Sequence, residues 1–297
     1  MTTEGERRWP AEWESHKATI ITYPHNRTTF RSNCEPAAKQ YRAVARAIAQ
    51  FEDVLLFCNT KELADRARKE LDSEGGAQRI HILIAPSDDS WCRDSGPTFI
   101  IESSSSGGKR LVGLDWNFNA YGGPKEACYW PCNKDQALKK HICDAAAHLG
   151  LSVQCLKVPL VLEGGSIHTD GEGTVLTTEE CLLNPNRNPD MTKQEIQNTI
   201  LEALGCSKMI WLPRGIAADN DTNGHVDNFA MFARPGEVIL SWCDDPSDEN
   251  YDRCHEAMKV LEREVDAKGR KLTVHKLPCP PPMVSCKLRS RSFYRSS

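Results

Sequence analysis

His225 and Asp227 stand two residues apart in an apolar, strand-like run, Gly224-His225-Val226-Asp227-Asn228. Strand side chains alternate between faces, so positions i and i+2 project the same way. With Val226, Ala230 and Phe232 turned inward, His225 and Asp227 share the opposite face. An imidazole beside a carboxylate on a rigid strand suits proton transfer together with cation binding. An isolated pair of this kind reads as a satisfied His/Asp contact at a sheet end. The same design, however, occurs twice more upstream. Asp94 leads into the β-rich run 98–101, and Glu163 leads into another after Gly164-Gly165.

Three carboxylates and a histidine converging on one centre would make a cation pocket. A guanidinium is planar with a fixed fork of N–H donors, which carboxylates grip bidentately. Asp94 and Asp227 are suited to hold it from two sides. Glu163 could accept a hydrogen bond from His225, fixing its tautomer and raising its pKa so that it acts as an acid. Gly164 and Gly165 permit close backbone approach, or simply a tight turn. Trp91 offers a flat wall or cation–π face, although a tryptophan is more commonly core. Metal binding is the rival chemistry. Glu163, His168 and Asp170 form an E-x4-H-x-D array, and Cys128, Cys132, His141 and Cys143 could be zinc ligands. Neither set has the paired close spacing of zinc modules, so no metal is expected. There is no GxGxxG or GxxxxGK[ST], so nucleotide binding has no support.

The elements that must position these residues repeat. Runs 18–23, 54–58 and 80–85 read as strands, separated by helices over 36–51 and 61–71. A strand at 98–101 pairs through the loop 103–108 with one at 111–116. After an irregular loop, 117–133, a helix follows over 136–149, with Asp135 as N-cap and Gly150 as stop. The strand 151–158 precedes Glu163, and a hairpin turns through residues 170–173 to a strand at 174–178. A helix spans 193–204 with Thr192 and Glu195 as capping box, then a strand 209–212. The run 224–232 opens a hairpin through Pro235-Gly236 to 238–242, followed by a helix over 248–267 and a strand at 272–277. Asp94, Glu163 and Asp227 lie 69 and 64 residues apart at equivalent places in this pattern. That spacing implies an α/β fold of repeated ββαβ units arranged radially.

Composition bounds the partners. At 39% hydrophobic and 26% charged residues the chain is globular in character, and a net charge of −4 argues against a nucleic-acid or acidic-membrane partner. Thirteen scattered cysteines without a CxxC pair suggest reduced thiols in a cytosol-like compartment. The N-terminus shows no secretory h-region, and no apolar run approaches the ~20 residues of a membrane span. The expectation is a soluble, cytoplasmic protein.

The motifs WCRDSGPTF at 91–99, GLDWNFNAYGG at 113–123, EGGSIHTDGEGT at 163–174, TEECLLNPNRNP at 178–189 and DTNGHVDNFAMFARPG at 221–236 resemble the agmatine deiminase family of the guanidine-modifying superfamily. WPAEWESH near the start fits as well. The resemblance runs from about residue 9 to 277 and is closest to the plant-type members. It implies a pseudo-five-fold α/β propeller and hydrolysis of agmatine to N-carbamoylputrescine and ammonia without a cofactor, in putrescine synthesis. It further implies that Asp94 and Asp227 bind the guanidinium and that His225 protonates the departing ammonia and then activates water, with Glu163 as its partner. Trp91 would line the pocket, and Asp221 would help recognise the far end of the substrate. A homodimer is compatible with this reading. Peptidyl-arginine deiminases are the nearest enzymatic alternative.

The family's nucleophile is a cysteine near the C-terminus in a Gly-Gly-Asn-Ile-His-Cys context, which is absent here. Cys286 lies in Val-Ser-Cys-Lys and is not assigned the role; Cys92 is read as structural. After residue 277 another hairpin is due, yet residues 278–297 show neither helical nor strand periodicity. The expectation is an incomplete propeller over 1–277, a disordered tail over 278–297, and a chain without deiminase activity of its own. A non-catalytic isoform that binds ligand or pairs with another subunit is the alternative.

Overall fold

The computed structural model describes residues 6–103 and 107–280. Cys286 and most of the anticipated tail lie outside them. The chain opens with β1 (Glu6–Arg8) and then a parallel three-stranded unit. In that unit β2 (Ala18–Thr22), α1 (Glu35–Ile48), β3 (Asp53–Cys58), α2 (Lys61–Glu74) and β4 (Ile80–Ile84) give the sheet order β2-β3-β4. The central strand is apolar on both faces, as a covered parallel strand must be. Val54, Leu56 and Cys58 pack beneath the two helices, while Leu55 and Phe57 point the other way, onto Leu138 and Ile142.

Three units of another kind follow. A one-turn helix α3 (Cys92–Ser95) leads into the antiparallel pair β5 (Thr98–Ser103) and β6 (Lys109–Asn117). After the short α4 (Gly123–Glu126) and the long α5 (Asn133–Ala145), β7 (Val153–Val161) lies parallel to β6, and β1 closes the other edge. The next unit pairs β8 (Ile167–Thr169) with β9 (Thr174–Thr178), then passes through α6 (Glu179–Leu182) and α7 (Lys193–Leu204) to the parallel β10 (Lys208–Leu212). The last has β11 (Ala230–Arg234), β12 (Glu237–Trp242), α8 (Asn250–Arg263) and β13 (Thr273–Pro278). Each is a ββαβ unit, so the repeat anticipated from the three acids is present in the backbone.

Local chemistry accounts for most boundaries. The Thr192–Glu195 capping box forms, and Gly205 ends α7 in the left-handed region. Two helices differ from expectation. Asp135 lies inside α5 rather than capping it; its carboxylate accepts the N–H groups of Asp88 and Asp89, while Asp88 accepts from Lys134 and Asp135. The helix start is thus satisfied by a distant acid. The last helix stops at Arg263, because Val265 forms a bridge with Lys271 and Asp266 accepts the N–H groups of Lys268 and Arg270.

The segment before β2 ties two units together. Glu12 pairs with Arg93 and faces His168 Nε2 at 3.7 Å. His168 Nδ1 accepts the Phe232 N–H at 3.1 Å, so Nε2 carries the proton that points toward Glu12. The His168 imidazole lowers the Glu12 pKa to about 2, and Arg93 assists, against a burial that acts the other way. A carboxyl whose folded pKa is depressed contributes stability above its unfolded value, and that contribution fades as pH falls. We therefore expect Glu12→Gln to lower the melting temperature at neutral pH, and the gap from wild type to shrink as pH falls from about 4.5 toward about 2. A gap independent of pH over that window, read by thermal denaturation, would contradict this account.

Candidate active site

Each of the three acids sits in, or immediately before, a helical turn that leads into a hairpin. Asp94 lies in α3, Glu163 precedes the 3-10 turn Gly164–Ser166, and Asp227 lies in the 3-10 turn Val226–Asn228. The turn Gly164–Ser166 contacts both of the others, which brings three units to a common point. This corrects the expectation that His225 and Asp227 ride on a strand face. His225 stands at the head of its turn, and the strand begins only at Ala230. The cause is local: Asp219 accepts the His225 N–H at 3.1 Å and holds Thr222 through both its N–H and its hydroxyl, folding the approach into a turn.

Gly165 is the hub. Its N–H donates to Asp94 Oδ1 at 2.9 Å. A Cβ on this residue would stand 2.6 Å from both Asp227 Oδ2 and His225 Nδ1, and 2.9 Å from Asp94 Oδ1. Only glycine leaves those three groups free to face one another. Gly164 is similarly confined, since a Cβ there would meet the Arg93 carbonyl oxygen at 2.1 Å. The close backbone approach expected at this glycine pair is present.

Around the hub, Asp94 Oδ2 accepts the Tyr121 hydroxyl at 2.8 Å. His225 lies between two carboxylates, with Nδ1 3.8 Å from Asp94 Oδ1 and Nε2 3.8 Å from Glu163 Oε2. The second distance is that of an ion pair, so the anticipated Glu163–His225 hydrogen bond is not formed. Glu163 instead accepts from Arg187 Nε at 2.6 Å, with both side chains fully closed off from solvent. Arg187 also donates to the carbonyls of Tyr121 and Thr222 and to Asn223 Oδ1. Asp227 is half-buried, and its Oδ1 has no hydrogen-bond partner among the described residues.

Burial sets the electrostatics. It pushes the carboxyls of Asp94 and Asp227 above their ordinary range, with His225 pulling each back. Burial acts the same way on Glu163, but the Arg187 guanidinium and the His225 imidazole together outweigh it and hold this carboxyl low. For His225, burial opposes the charged form, yet Cys181, Glu163 and Asp94 together carry its pKa well above the usual value. The result is an ionised acid on one side of a proton-holding imidazole and two carboxyl groups that gain from a cation on the other.

Two of the anticipated residues lie at the margin. Trp91 is 40% exposed and stacks on Phe30, centroids 6.0 Å apart, making an aromatic wall beside α3. Asp221 is exposed, with its carbonyl near Cys128 Sγ, and Asp219 is the acid that organises that loop. The metal arrays suggested by spacing do not assemble. Asp170 binds the β8–β9 turn, His168 serves Phe232, and Cys132 Sγ donates to the Phe118 carbonyl. Arg187, Tyr121 and Asp219 carry no spacing or periodic signal in the sequence, although Arg187 and Tyr121 lie within the motifs at 178–189 and 113–123.

The chain matches the model of the Porphyromonas-type peptidyl-arginine deiminase family over residues 8–295. It is 45% identical over 276 residues to an agmatine deiminase of Pseudomonas aeruginosa (strain LESB58), covering 93% of this chain and 71% of that one. An agmatine deiminase of Stutzerimonas stutzeri is 46% identical over 279 residues, with coverage of 92% and 71%. Among solved structures, the agmatine deiminase of Enterococcus faecalis superposes with a TM-score of 0.86 at 34% identity, over 96% of this chain and 74% of that one. A cysteine-to-serine variant of C. jejuni agmatine deiminase, solved with substrate bound, gives 0.77 at 26% identity, over 95% and 76%.

The buried Glu163–Arg187 pair generates a stability prediction. Removing one partner of such a pair leaves an uncompensated charge and costs about 3–5 kcal/mol. Arg187→Met should lose that much in urea denaturation, and Glu163→Gln with Arg187→Met together should lose less than Arg187→Met alone. An Arg187→Met midpoint equal to wild type would show that the pair is not what holds these loops.

Proposed function

The chain belongs to the agmatine deiminase family, and on that premise we propose that its pocket holds the guanidinium of agmatine between Asp94 and Asp227. The observation that carries this is the convergence of Asp94, Asp227 and His225 within 3 Å of one point over Gly165. Both carboxyls gain from a cation, and the guanidinium fork supplies the donors that Asp227 Oδ1 lacks. The Trp91–Phe30 stack then flanks the aliphatic chain, and Asp221 meets the distal amine. In the family reaction a thiolate displaces ammonia from the guanidinium carbon, and water then releases N-carbamoylputrescine from the amidino-enzyme. His225 is the group that gives its proton to the leaving ammonia and takes one from water. Ionised Glu163, held by Arg187, stabilises the imidazolium.

On the same reading, these 297 residues bind the substrate but do not turn it over. The family's nucleophile motif is absent from them, and Cys181, the cysteine grouped with His225 and Glu163, is fully buried. Isothermal titration should show agmatine binding, weakened on the order of 10–100-fold by Asp94→Asn or Asp227→Asn, the size of one or two charge-assisted hydrogen bonds. No ureido product should form. Turnover that His225→Ala abolishes would refute inactivity. Tighter binding of arginine-containing peptides than of agmatine would move the assignment to a peptidyl-arginine deiminase.

An open ring is supported by apolar side chains left at two sheet edges. Ile84 on the edge strand β4 is 55% exposed, and Leu277 on the edge strand β13 is 57% exposed. A further unit between those sheets, or a second subunit in a paired isoform, would cover them. Among the described residues no helix is long and apolar enough to cross a membrane. None of the twelve described cysteines is in a disulfide, which fits a reducing, cytoplasmic setting. The 297-residue chain should self-associate or aggregate in analytical ultracentrifugation, whereas a clean monomer with a sharp two-state melt would count against an open ring.

A further inference from the structure

Tyr121 is clamped along backbone and ring alike. It and Ala120 are consecutive non-glycine residues in the left-handed region, at φ 71° and 53°. Such a conformation persists only where neighbours enforce it. Here Arg187 Nη1 donates to the Tyr121 carbonyl at 2.8 Å, and the Cys128 N–H donates to the Ala120 carbonyl at 3.0 Å. The Gly123 N–H closes the turn on the Asn119 carbonyl at 2.8 Å. The ring is wedged as well, edge-on to the buried Phe118 with centroids 5.5 Å apart. The one polar atom of this side chain, its hydroxyl, is committed to Asp94 Oδ2 at 2.8 Å in the interior.

What Asp94 faces explains the need for such a partner. His225 Nδ1 lies 3.8 Å from Asp94 Oδ1, beyond hydrogen-bonding distance, while the ring is carried toward its protonated form against burial. A carboxylate and an imidazolium this close in an interior attract each other strongly. Closing the gap by about 1 Å would form a charge-assisted hydrogen bond. It would also spend on His225 a lone pair that a guanidinium has to find. Two donors oppose that collapse, the Gly165 N–H on Oδ1 at 2.9 Å and the Tyr121 hydroxyl on Oδ2. With one donor on each oxygen, the plane of the carboxylate is set.

We propose that Tyr121 is a positioning residue that holds Asp94 off His225 and so keeps the pocket open while it is empty. This rests on the reading of the pocket as a guanidinium site. Without the hydroxyl, Asp94 retains the Gly165 N–H but is free to pivot about that bond and settle on the Nδ1–H of His225. The same hydroxyl also serves the bound state, because it leaves a second lone pair on Oδ2 for a guanidinium N–H. Arg187 links this role to the far side of the imidazole, since the guanidinium that holds Glu163 also fixes the Tyr121 carbonyl.

Tyr121→Phe keeps the ring and removes only the hydroxyl. In the full 297-residue chain without ligand, the NMR signal of the His225 Nδ1–H, assigned with His225→Gln, should move downfield in Tyr121→Phe as the bond to Asp94 forms. Adding Asp94→Asn should reverse that movement. Agmatine should bind Tyr121→Phe about tenfold more weakly, the size of one hydrogen bond to a charged group. In an Asp94→Asn background the hydroxyl should no longer matter to affinity. An unmoved His225 signal, or agmatine affinity equal to that of wild type, would overturn the role, whatever happens to the melting temperature. Should Tyr121→Phe fail to fold, meta-fluorotyrosine at this position, a stronger donor of nearly the same shape, should move the His225 signal upfield, and no movement would overturn the role. The NMR measurement needs no ligand, so failure of wild type to bind agmatine would sink the substrate reading and leave Tyr121 tested.

Discussion

Glu163 and Arg187 are an ion pair with both side chains sealed from solvent, and the geometry of the pocket depends on it. A charge so buried persists only when its partner and hydrogen bonds compensate for lost hydration. Arg187 meets that requirement for Glu163 and, with its remaining N–H groups, anchors the carbonyls of Tyr121 and Thr222. Those carbonyls belong to the two loops that carry the Asp94-binding hydroxyl and the approach to His225. One guanidinium thus fixes an acid, a hydroxyl and a histidine whose positions the sheets alone do not determine.

The division of labour between the two sides of His225 follows from that arrangement. On the Nε2 side, a carboxylate kept ionised by an internal guanidinium faces the ring. On the Nδ1 side, burial raises the pKa of Asp94 and Asp227, so each favours a cation brought from outside. The internal guanidinium of Arg187 thus belongs to the Nε2 side, where it holds Glu163. Gly165 keeps the two acids and the ring from being pushed apart, because any side chain there would occupy the space where they meet.

Much of this was legible in the amino-acid order. The three acids at matching points of a repeat located the centre, and alternating apolar runs located nearly every strand. The Thr192–Glu195 capping box is a contact between residues three apart, which local pattern records well. What stayed hidden depended on distant partners. Asp135 looks like an N-cap until Asp88, 47 residues earlier, takes over that role. His225 and Asp227 look like strand residues until Asp219 captures the preceding N–H and bends the chain. Arg187 has no periodic signature, because its function is to be surrounded by loops from three segments. Resemblance pointed to its motif without indicating that this arginine, rather than His225, is the close partner of Glu163.

The contact at Gly165 also has a consequence for cooperativity. Its three neighbours come from Asp94, His225 and Asp227, and the glycine belongs to a third unit, so no single ββαβ unit contains a usable fragment of the pocket. A ligand that bridges Asp94 and Asp227 is therefore a clasp between units. Its binding free energy enters the docking equilibrium of the sheets themselves, in proportion to the logarithm of ligand concentration over Kd. Amide protection should consequently rise across the interfaces between units as well as at the pocket, since opening any one of them destroys the site.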